Sequence, residues 1–276
     1  MTVATLAEVL QPALKGGYAV AGLVCLGWED MRAYVTAAEE EGVAVILQAG
    51  PGCREHTPLP VLGKMFLHLA EQATVPVVAH LDHGYTFDEC KEALDSGFTS
   101  LMYDGSRKPL TQNIDETAAV VELARSAAIS CEGEIGFVGY DGGEASAGTD
   151  PDEAAQFARE TAVDAMAISV GNVHLQTQKS DGLDKNRVTA IQNKTGVPLV
   201  IHGGSGIPSD QRLEFARSTN ICKYNVGTEL RMAFGQSLRE AVAGDREQFD
   251  RISLLKQTHM PVVEATKSVL RSMCAL

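Results

Sequence analysis

No stretch of this sequence approaches the ~20 consecutive apolar residues that a bilayer-spanning helix requires. The opening segment, MTVATLAEVLQPALKGG, lacks the charged start, apolar block and small-residue cleavage site of a secretory leader. Its spacing reads instead as an amphipathic helix. Basic residues are few: 23 Lys and Arg stand against 36 Asp and Glu, a formal net charge of −13. That balance argues against a nucleic-acid or anionic-membrane surface, either of which needs a basic patch. A phosphorylated small molecule stays open, because a few local donors can override the global field. The six cysteines, Cys25, Cys53, Cys90, Cys131, Cys222 and Cys274, include no Cys-x-x-Cys pair. In a chain of this size the expectation is reduced, buried thiols in a cytoplasmic protein, with no disulfide framework.

What the chain does have is length and repetition. Its 276 residues, 45% hydrophobic and 21% charged, are enough for a sizeable core, and single α/β barrels commonly run to about 250 residues. Short β-branched or apolar runs recur at residues 18–24, 43–48, 75–81, 99–104, 129–134, 165–170, 197–202 and 221–225. Stretches with apolar residues at three- and four-residue spacing lie between most of them, such as 31–41, 87–96 and 114–127. No Pro/Gly/Ser linker or composition shift divides the chain. Eight strand–helix alternations predict one α/β domain over residues 1–276, its parallel sheet closed as a single (β/α)8 TIM barrel. The competing open, doubly wound sheet would usually carry Gly-x-Gly-x-x-Gly after its first strand, and that motif is absent.

A barrel of this kind carries its chemistry just past the C-terminal ends of its strands. Asp82 and His83 end the third expected strand, His174 follows the sixth, His202 ends the seventh and Asn225 ends the eighth. Three neutral imidazoles around an open fourth position make a catalytic zinc site, so His83, His174 and His202 are candidate metal ligands. A lone strand-end histidine is more often a hydrogen-bonded core group; three on one rim shift that balance. His80 lies two residues before Asp82, on the same strand face, and reads as a buried supporting group. His68 and His259 fall on expected helices and His56 in a loop, where packing or surface roles are the default. Gly203, Gly204, Ser205 and Gly206 follow the seventh strand, and Gly227 and Thr228 the eighth. Barrels often hold phosphate with these two loops, through backbone N–H groups. The plain alternative for the glycine run is a tight turn needing positive φ.

Five segments carry a family resemblance: VPVVAHLDHG (75–84), GFTSLMYDGSRKPLTQNIDET (97–117), CEGEIG (131–136), PLVIHGGSGIP (198–208) and ICKYNVGTEL (221–230). In order and spacing they resemble the class II, zinc-dependent fructose-bisphosphate and tagatose-bisphosphate aldolases, over roughly residues 5–235. The resemblance implies a metal-dependent aldehyde-lyase that reversibly cleaves a ketose phosphate or bisphosphate to dihydroxyacetone phosphate and an aldehyde. It implies that His83, His174 and His202 hold one zinc ion per subunit, which acts as a Lewis-acid electron sink. Asp82 would exchange the proton of the hydroxyl at the cleaved bond, and Asn225 would hold the ketone and its enediolate. Gly203, Ser205, Gly227 and Thr228 would cradle the ketone phosphate, beside a monovalent-cation site in the family. Asp104 and Glu134 match carboxylates that flank the metal or offer it an alternative resting position. The acid that takes the ketone-phosphate proton lies in the family on a mobile loop after the fifth strand. Here that loop is FVGYDGGEASAGT (137–149), whose glycines suit a moving lid; Asp141 and Glu144 are both candidates. The implied partners are a small sugar phosphate and further copies of the chain, as a homodimer or homotetramer. A lysine Schiff base is the other aldolase strategy, and strand alternation is expected to turn Lys223 away from the face of Asn225.

Three departures from the family pattern bear on the substrate. Leu175 stands where glycine normally follows the sixth-strand histidine, which puts a side chain at that edge of the phosphate site. Gly22-Leu23-Val24 replaces an Ala-Phe-Asn stretch, so an asparagine near the pocket becomes apolar. The chain stops at VLRSMCAL, with Arg271 as the only nearby stand-in for the basic residue that bisphosphate aldolases turn on the second phosphate. The expectation is an acceptor other than plain glyceraldehyde 3-phosphate, or one read by Arg54, Arg107 or Lys108. A barrel metallohydrolase would usually show His-x-His on its first strand, which has no histidine. A silent sugar-phosphate binder would have no need for Asp82.

Overall fold

The computed structural model describes residues 2–178 and 182–274. Eight parallel strands follow one another around the sheet: β1 (Val20–Val24), β2 (Val45–Ala49), β3 (Val77–Gly84), β4 (Ser100–Tyr103), β5 (Ser130–Ile135), β6 (Ala165–Ile168), β7 (Leu199–Ile201) and β8 (Ile221–Val226). The ladder closes because β8 also pairs with β1, Gly22 opposite Asn225. This is the (β/α)8 barrel that the alternation predicts, and every strand overlaps its expected segment. A two-residue strand, Val3–Ala4, was not foreseen. It pairs with Val77 and Val78 of β3, on the edge left open below the point where β4 begins to pair at His80.

The helix Leu6–Gly16 follows directly. Thr5 and Glu8 form a capping box that satisfies the first N–H groups. Its buried Leu6, Val9, Leu10 and Ala13 recur at helical spacing. They pack on Val20, Ile46, Val78 and Val200, the inward residues at the bottom of the barrel. At about 1.5–3 kcal/mol per buried aliphatic side chain, this plug contributes substantially to closing that end. Further up the barrel the interior turns polar, with Gln48, His80, Glu132 and Lys223 fully buried. One step higher stand Asp82, Glu134, His202 and Asn225. The period of two along each strand therefore sorts the interior into an apolar floor, an ionic middle and a reactive rim.

Of the two C-terminal helices, Thr228–Gly244 packs on Arg251–Arg271, and Arg251–Arg271 packs against Trp28–Glu41 on the outside. Arg271 is bonded there to Glu41, its Nε at 3.0 Å and a terminal nitrogen at 2.6 Å. The Met273 carbonyl accepts from the Ala19 amide, just before β1. Arg271 thus lies at the end of the barrel opposite the rim, which removes it as a reader of a substrate phosphate. None of the six cysteines is bridged; five are buried and Cys274 is half-buried. Among the described residues no helix is long and apolar enough to cross a membrane.

Candidate metal and substrate site

On an ideal strand Asp82 and His83 would face opposite sides. They do not, because β3 breaks register against β4 between Leu81 and Gly84, and His83 takes a left-handed φ of 54°. The twist turns His83 inward beside Asp82. A non-glycine residue in that region costs on the order of 1 kcal/mol or more, and strain of this kind collects at functional sites. His83 is then fixed by Asp104, just beyond β4: Nδ1–H donates to Oδ2 at 2.8 Å. Asp104 Oδ1 accepts from the Ser106 amide and hydroxyl at 3.1 and 2.6 Å. Burial would raise the Asp104 carboxyl, but these donors hold it well below the usual carboxylate range.

His202 follows β7 and is fully buried. Its Nε2–H donates to Glu132 at 3.1 Å, and Glu132 also accepts from Lys223 Nζ at 2.7 Å. Lys223 donates in turn to His80 Nε2 at 3.3 Å, and His80 shares its other nitrogen with Ser100 at 2.8 Å. Burial, then the Lys223 charge, pushes His80 down to about 3, so it is neutral. Alternation puts Lys223 on the same inward face as Asn225, not away from it, because the two are separated by two residues. What sets Lys223 aside as a Schiff-base amine is its ion pair with Glu132, one layer below the rim.

His174 comes from the loop after β6. Backbone bonds clip this loop to the glycine-rich segment 137–149: His174 N donates to Gly139 O at 2.8 Å, and Asp141 N to His174 O at 2.9 Å. Tyr140 stacks on the His174 ring with centroids 5.0 Å apart. Burial, followed by the neighbouring imidazoles, pushes His174 down to about 3, the neutral form that binds metals.

The structure brings together all three histidines. One ring nitrogen from each of His83, His174 and His202 lies within 4.8 Å of the others, and a second set, His83, Asp104 and Glu134, meets the same limit. Tetrahedral ligands 2.0–2.1 Å from zinc sit about 3.3 Å apart, so only small side-chain movements separate the first set from coordination. The fit rests on one pair of atoms in particular. His202 Nδ1 and Glu134 Oε2 are buried 3.2 Å apart. Against the cost of burial, Glu132 and Glu134 raise the His202 imidazole to about 10, so a positive charge is favoured between these two atoms. A metal ion in place of the Nδ1 proton would meet the same demand.

Asp82 accepts from Asn225 Nδ2 at 3.2 Å. Burial would raise its carboxyl, but the positive charge available on His83, His202 and Lys223 outweighs that and keeps it low. It is therefore a carboxylate ready to take a proton. Asn225 Oδ1 and both ends of the fully buried Gln48 amide have no partner. A Cβ on Gly22 would lie 1.9 Å from Gln48 Oε1, so Gly22 is what makes room for that amide. On the other side of the pocket Gly203 has a φ of 65°, and a Cβ there would meet Val173 O at 2.0 Å. Ser205 Oγ accepts from the Gly227 and Glu229 amides at 3.3 and 3.4 Å, joining the loops after β7 and β8. Thr228 opens the helix whose N-terminus faces the pocket. Leu175 keeps the left-handed backbone of a glycine, φ 59°, with its side chain half exposed on the rim.

The lid acids stand apart from this group. Neither Asp141 nor Glu144 lines the pocket; Glu144 pairs with Arg107 at 2.7 Å, both side chains more than half exposed. The cations expected to read an acceptor are also engaged elsewhere. Arg54 donates to the carbonyls of Ala49, Asp82 and His83 at 2.7–2.9 Å and pairs with Glu89, tying β2 to β3. Arg107 lies over the Phe137 ring at 4.0 Å, and Lys108 is bound to Tyr103 and Glu116. Arg231, on the first turn after Thr228, lines the pocket instead. Sequence reasoning missed Gln48, Glu132 and Arg231. Glu132 stands two residues before Glu134 in an alternating strand, a signal that was available. Arg231 lies outside the quoted motifs, one residue past ICKYNVGTEL, and only the pocket reveals it.

A family model described as fructose-bisphosphate aldolase class-II matches residues 4–275. The chain is 37% identical, over 257 residues, to a fructose-bisphosphate aldolase of Geobacillus stearothermophilus, covering 91% of this chain and 89% of the relative. It is 35% identical, over 281 residues, to a 6-phospho-5-dehydro-2-deoxy-D-gluconate aldolase of Halalkalibacterium halodurans, covering 98% and 96%. The crystal structure of the YdjI aldolase from Escherichia coli K12 superposes with a TM-score of 0.85 at 30% identity, over 98% of this chain and 97% of that one.

Proposed function

Since this chain belongs to the class II fructose-bisphosphate aldolase family, whose members are metal-dependent lyases, we propose that it is a zinc enzyme cleaving a ketose phosphate to dihydroxyacetone phosphate and an aldehyde. The observation that carries this reading is the convergence of three imidazoles beside a buried carboxylate, with His202 Nδ1 facing Glu134 Oε2 at 3.2 Å. Zinc held by His83, His174 and His202 would supply a Lewis acid for the charge that develops on the ketone during cleavage. Asp104 orients His83 for that role, and Glu132 orients His202. Asp104 and Glu134 offer, with His83, a second position for the ion.

The chain's own groups then divide the work. Asp82 takes the proton of the hydroxyl at the bond to be cleaved and returns it in the addition direction. Asn225, hydrogen-bonded to Asp82 and with Oδ1 free, holds the ketone end. Gly203, Ser205, Gly227 and Thr228 bind the ketone phosphate through amides and the helix N-terminus. Asp141 or Glu144 carries the C3 proton once the segment 137–149 moves inward, a change in which Glu144 must leave Arg107. The protein works as one cytoplasmic domain in a homodimer or homotetramer. The relatives above are named for a bisphosphate and for a 6-phospho sugar acid at nearly equal identity, so identity does not choose the acceptor.

The test is solvent deuterium exchange at C3 of dihydroxyacetone phosphate, followed by NMR on zinc-loaded and chelator-stripped protein. Exchange that depends on zinc is expected. No exchange from protein with zinc bound would refute the reading.

A further inference from the structure

Arg231 is the only Lys or Arg side chain among the residues lining the pocket. Among the described residues no hydrogen bond or ion pair holds its guanidinium, whereas Arg54, Arg107 and Lys108 are all engaged. Its position is defined by Gly227: a Cβ there would lie 3.7 Å from Arg231 Nε and 3.1 Å from Val24. The guanidinium stem therefore stands beside Gly227, at the seam between the β8 loop and the end of β1. Burial raises both the Asp30 carboxyl and the Cys53 thiol, and the Arg231 charge opposes both shifts, which puts the charge on the β1–β2 side of the pocket. The wall it faces is made of Val24, Leu26, Gly50, Pro51 and Gly52, which carry no charge.

Resting on the aldolase reading above, we infer that Arg231 selects an acceptor aldehyde bearing a carboxylate. The ketone phosphate fills the β7–β8 side, so the aldehyde's substituent extends along the wall from β1 and β2 to the guanidinium. One guanidinium balances one carboxylate, and its planar fork matches the two oxygens. A phosphate dianion would want a second cationic group, and the lining holds no Lys or Arg besides Arg231. Asp30, nearby, accepts from the Leu26 and Gly27 amides at Oδ2 and forms no ion pair with Arg231 among the described residues.

The experiment is addition of dihydroxyacetone phosphate to 4-oxobutanoate, butanal and glyceraldehyde 3-phosphate by the zinc-loaded full chain and its Arg231→Ala and Arg231→Lys variants. The readout is the ratio of kcat/KM between aldehydes, which is insensitive to a fraction of misfolded protein. The wild type is expected to favour 4-oxobutanoate over butanal by about 10- to 100-fold, the usual worth of a charge-assisted pair. Arg231→Ala should collapse that ratio through the KM of the charged aldehyde, and Arg231→Lys should keep part of it. A wild type without the preference, or one that favours glyceraldehyde 3-phosphate and loses that in Arg231→Ala, overturns the carboxylate assignment. So does a loss seen chiefly in the KM of dihydroxyacetone phosphate, which would move Arg231 to the donor phosphate. The aldolase reading is judged separately, by C3 exchange in the wild type, and its failure takes this inference with it.

Discussion

Replacing Glu132 with glutamine keeps the shape of the side chain and deletes one of two opposite charges that meet beneath the metal-binding imidazoles. Glu132 and Lys223 are fully buried, with Nζ 2.7 Å from the carboxylate. At an effective dielectric of about 20, that separation gives a gross attraction of about 6 kcal/mol. Most of it offsets the cost of taking both ions out of water. The net worth of the pair is therefore small, but removing one partner strands the other, at about 3–5 kcal/mol. In a chain of this size 1 kcal/mol moves Tm by about 2–4 °C. Glu132→Gln and Lys223→Met are each expected to lower Tm by about 6–20 °C, and the double variant should fall no further than the worse single one. Thermal unfolding should be followed on chelator-stripped protein, so that ion-binding energy does not enter. If the two effects add to within about 0.5 kcal/mol, the pair is not coupled and the argument fails.

The same pair sets a pH dependence. Burial would raise the Glu132 carboxyl, but Lys223 and then His202 hold it far below the usual range. A depressed folded pKa contributes stability above the unfolded value of about 4.3 and loses it as pH falls through the folded one. The wild type should therefore lose stability more steeply than Glu132→Gln below about pH 5; equal slopes would mean that Glu132 is already protonated in the folded protein.

Other substitutions probe different links. Asp104→Asn removes the carboxylate that orients His83 and should weaken zinc binding about 10- to 100-fold in a chelator competition; unchanged affinity would deny His83 a ligand role. Ala162 ends the helix Pro151–Thr161 with φ 53°, so Ala162→Gly should stabilise by about 0.5–1 kcal/mol, read as a higher Tm, and a lower Tm would refute the strain. Leu175→Gly keeps the left-handed backbone and clears the rim, which should lower the KM for dihydroxyacetone phosphate in C3 exchange; a higher KM would make the leucine a contact rather than an obstruction.

How much of this was legible in the sequence depended on the range of the interaction. The strands were legible because β-branched runs and helical spacing are local signals, and the rim histidines because the barrel rule converts strand ends into positions. The two-residue strand Val3–Ala4 was not, since two residues carry no periodicity and it exists only because β4 starts late beside β3. Nearness in sequence to the motifs did not foretell the partners that Arg54, Arg107, Lys108 and Arg271 take. A guanidinium or ammonium reaches several ångströms, and the nearest carbonyl or carboxylate claims it first. For Arg271 that partner was Glu41, 230 positions away in the chain.

His83 shows the limit most clearly. Alternation, applied strictly, puts Asp82 on the inward face and His83 outside the barrel. Only the register break against β4 and the left-handed φ at His83 bring both to the same pocket. The motif HLDHG was recognisable as a string, but its chemistry depends on a backbone departure that the string alone does not explain. The residue that makes the departure is also the one Asp104 grips from the neighbouring strand end, at 2.8 Å. Strain on β3 and a charge-assisted bond from β4 thus act on one imidazole: the first turns it inward and the second fixes its tautomer. Loss of Asp104 should therefore act first on metal affinity, because His83 would still be turned inward but no longer held in one orientation.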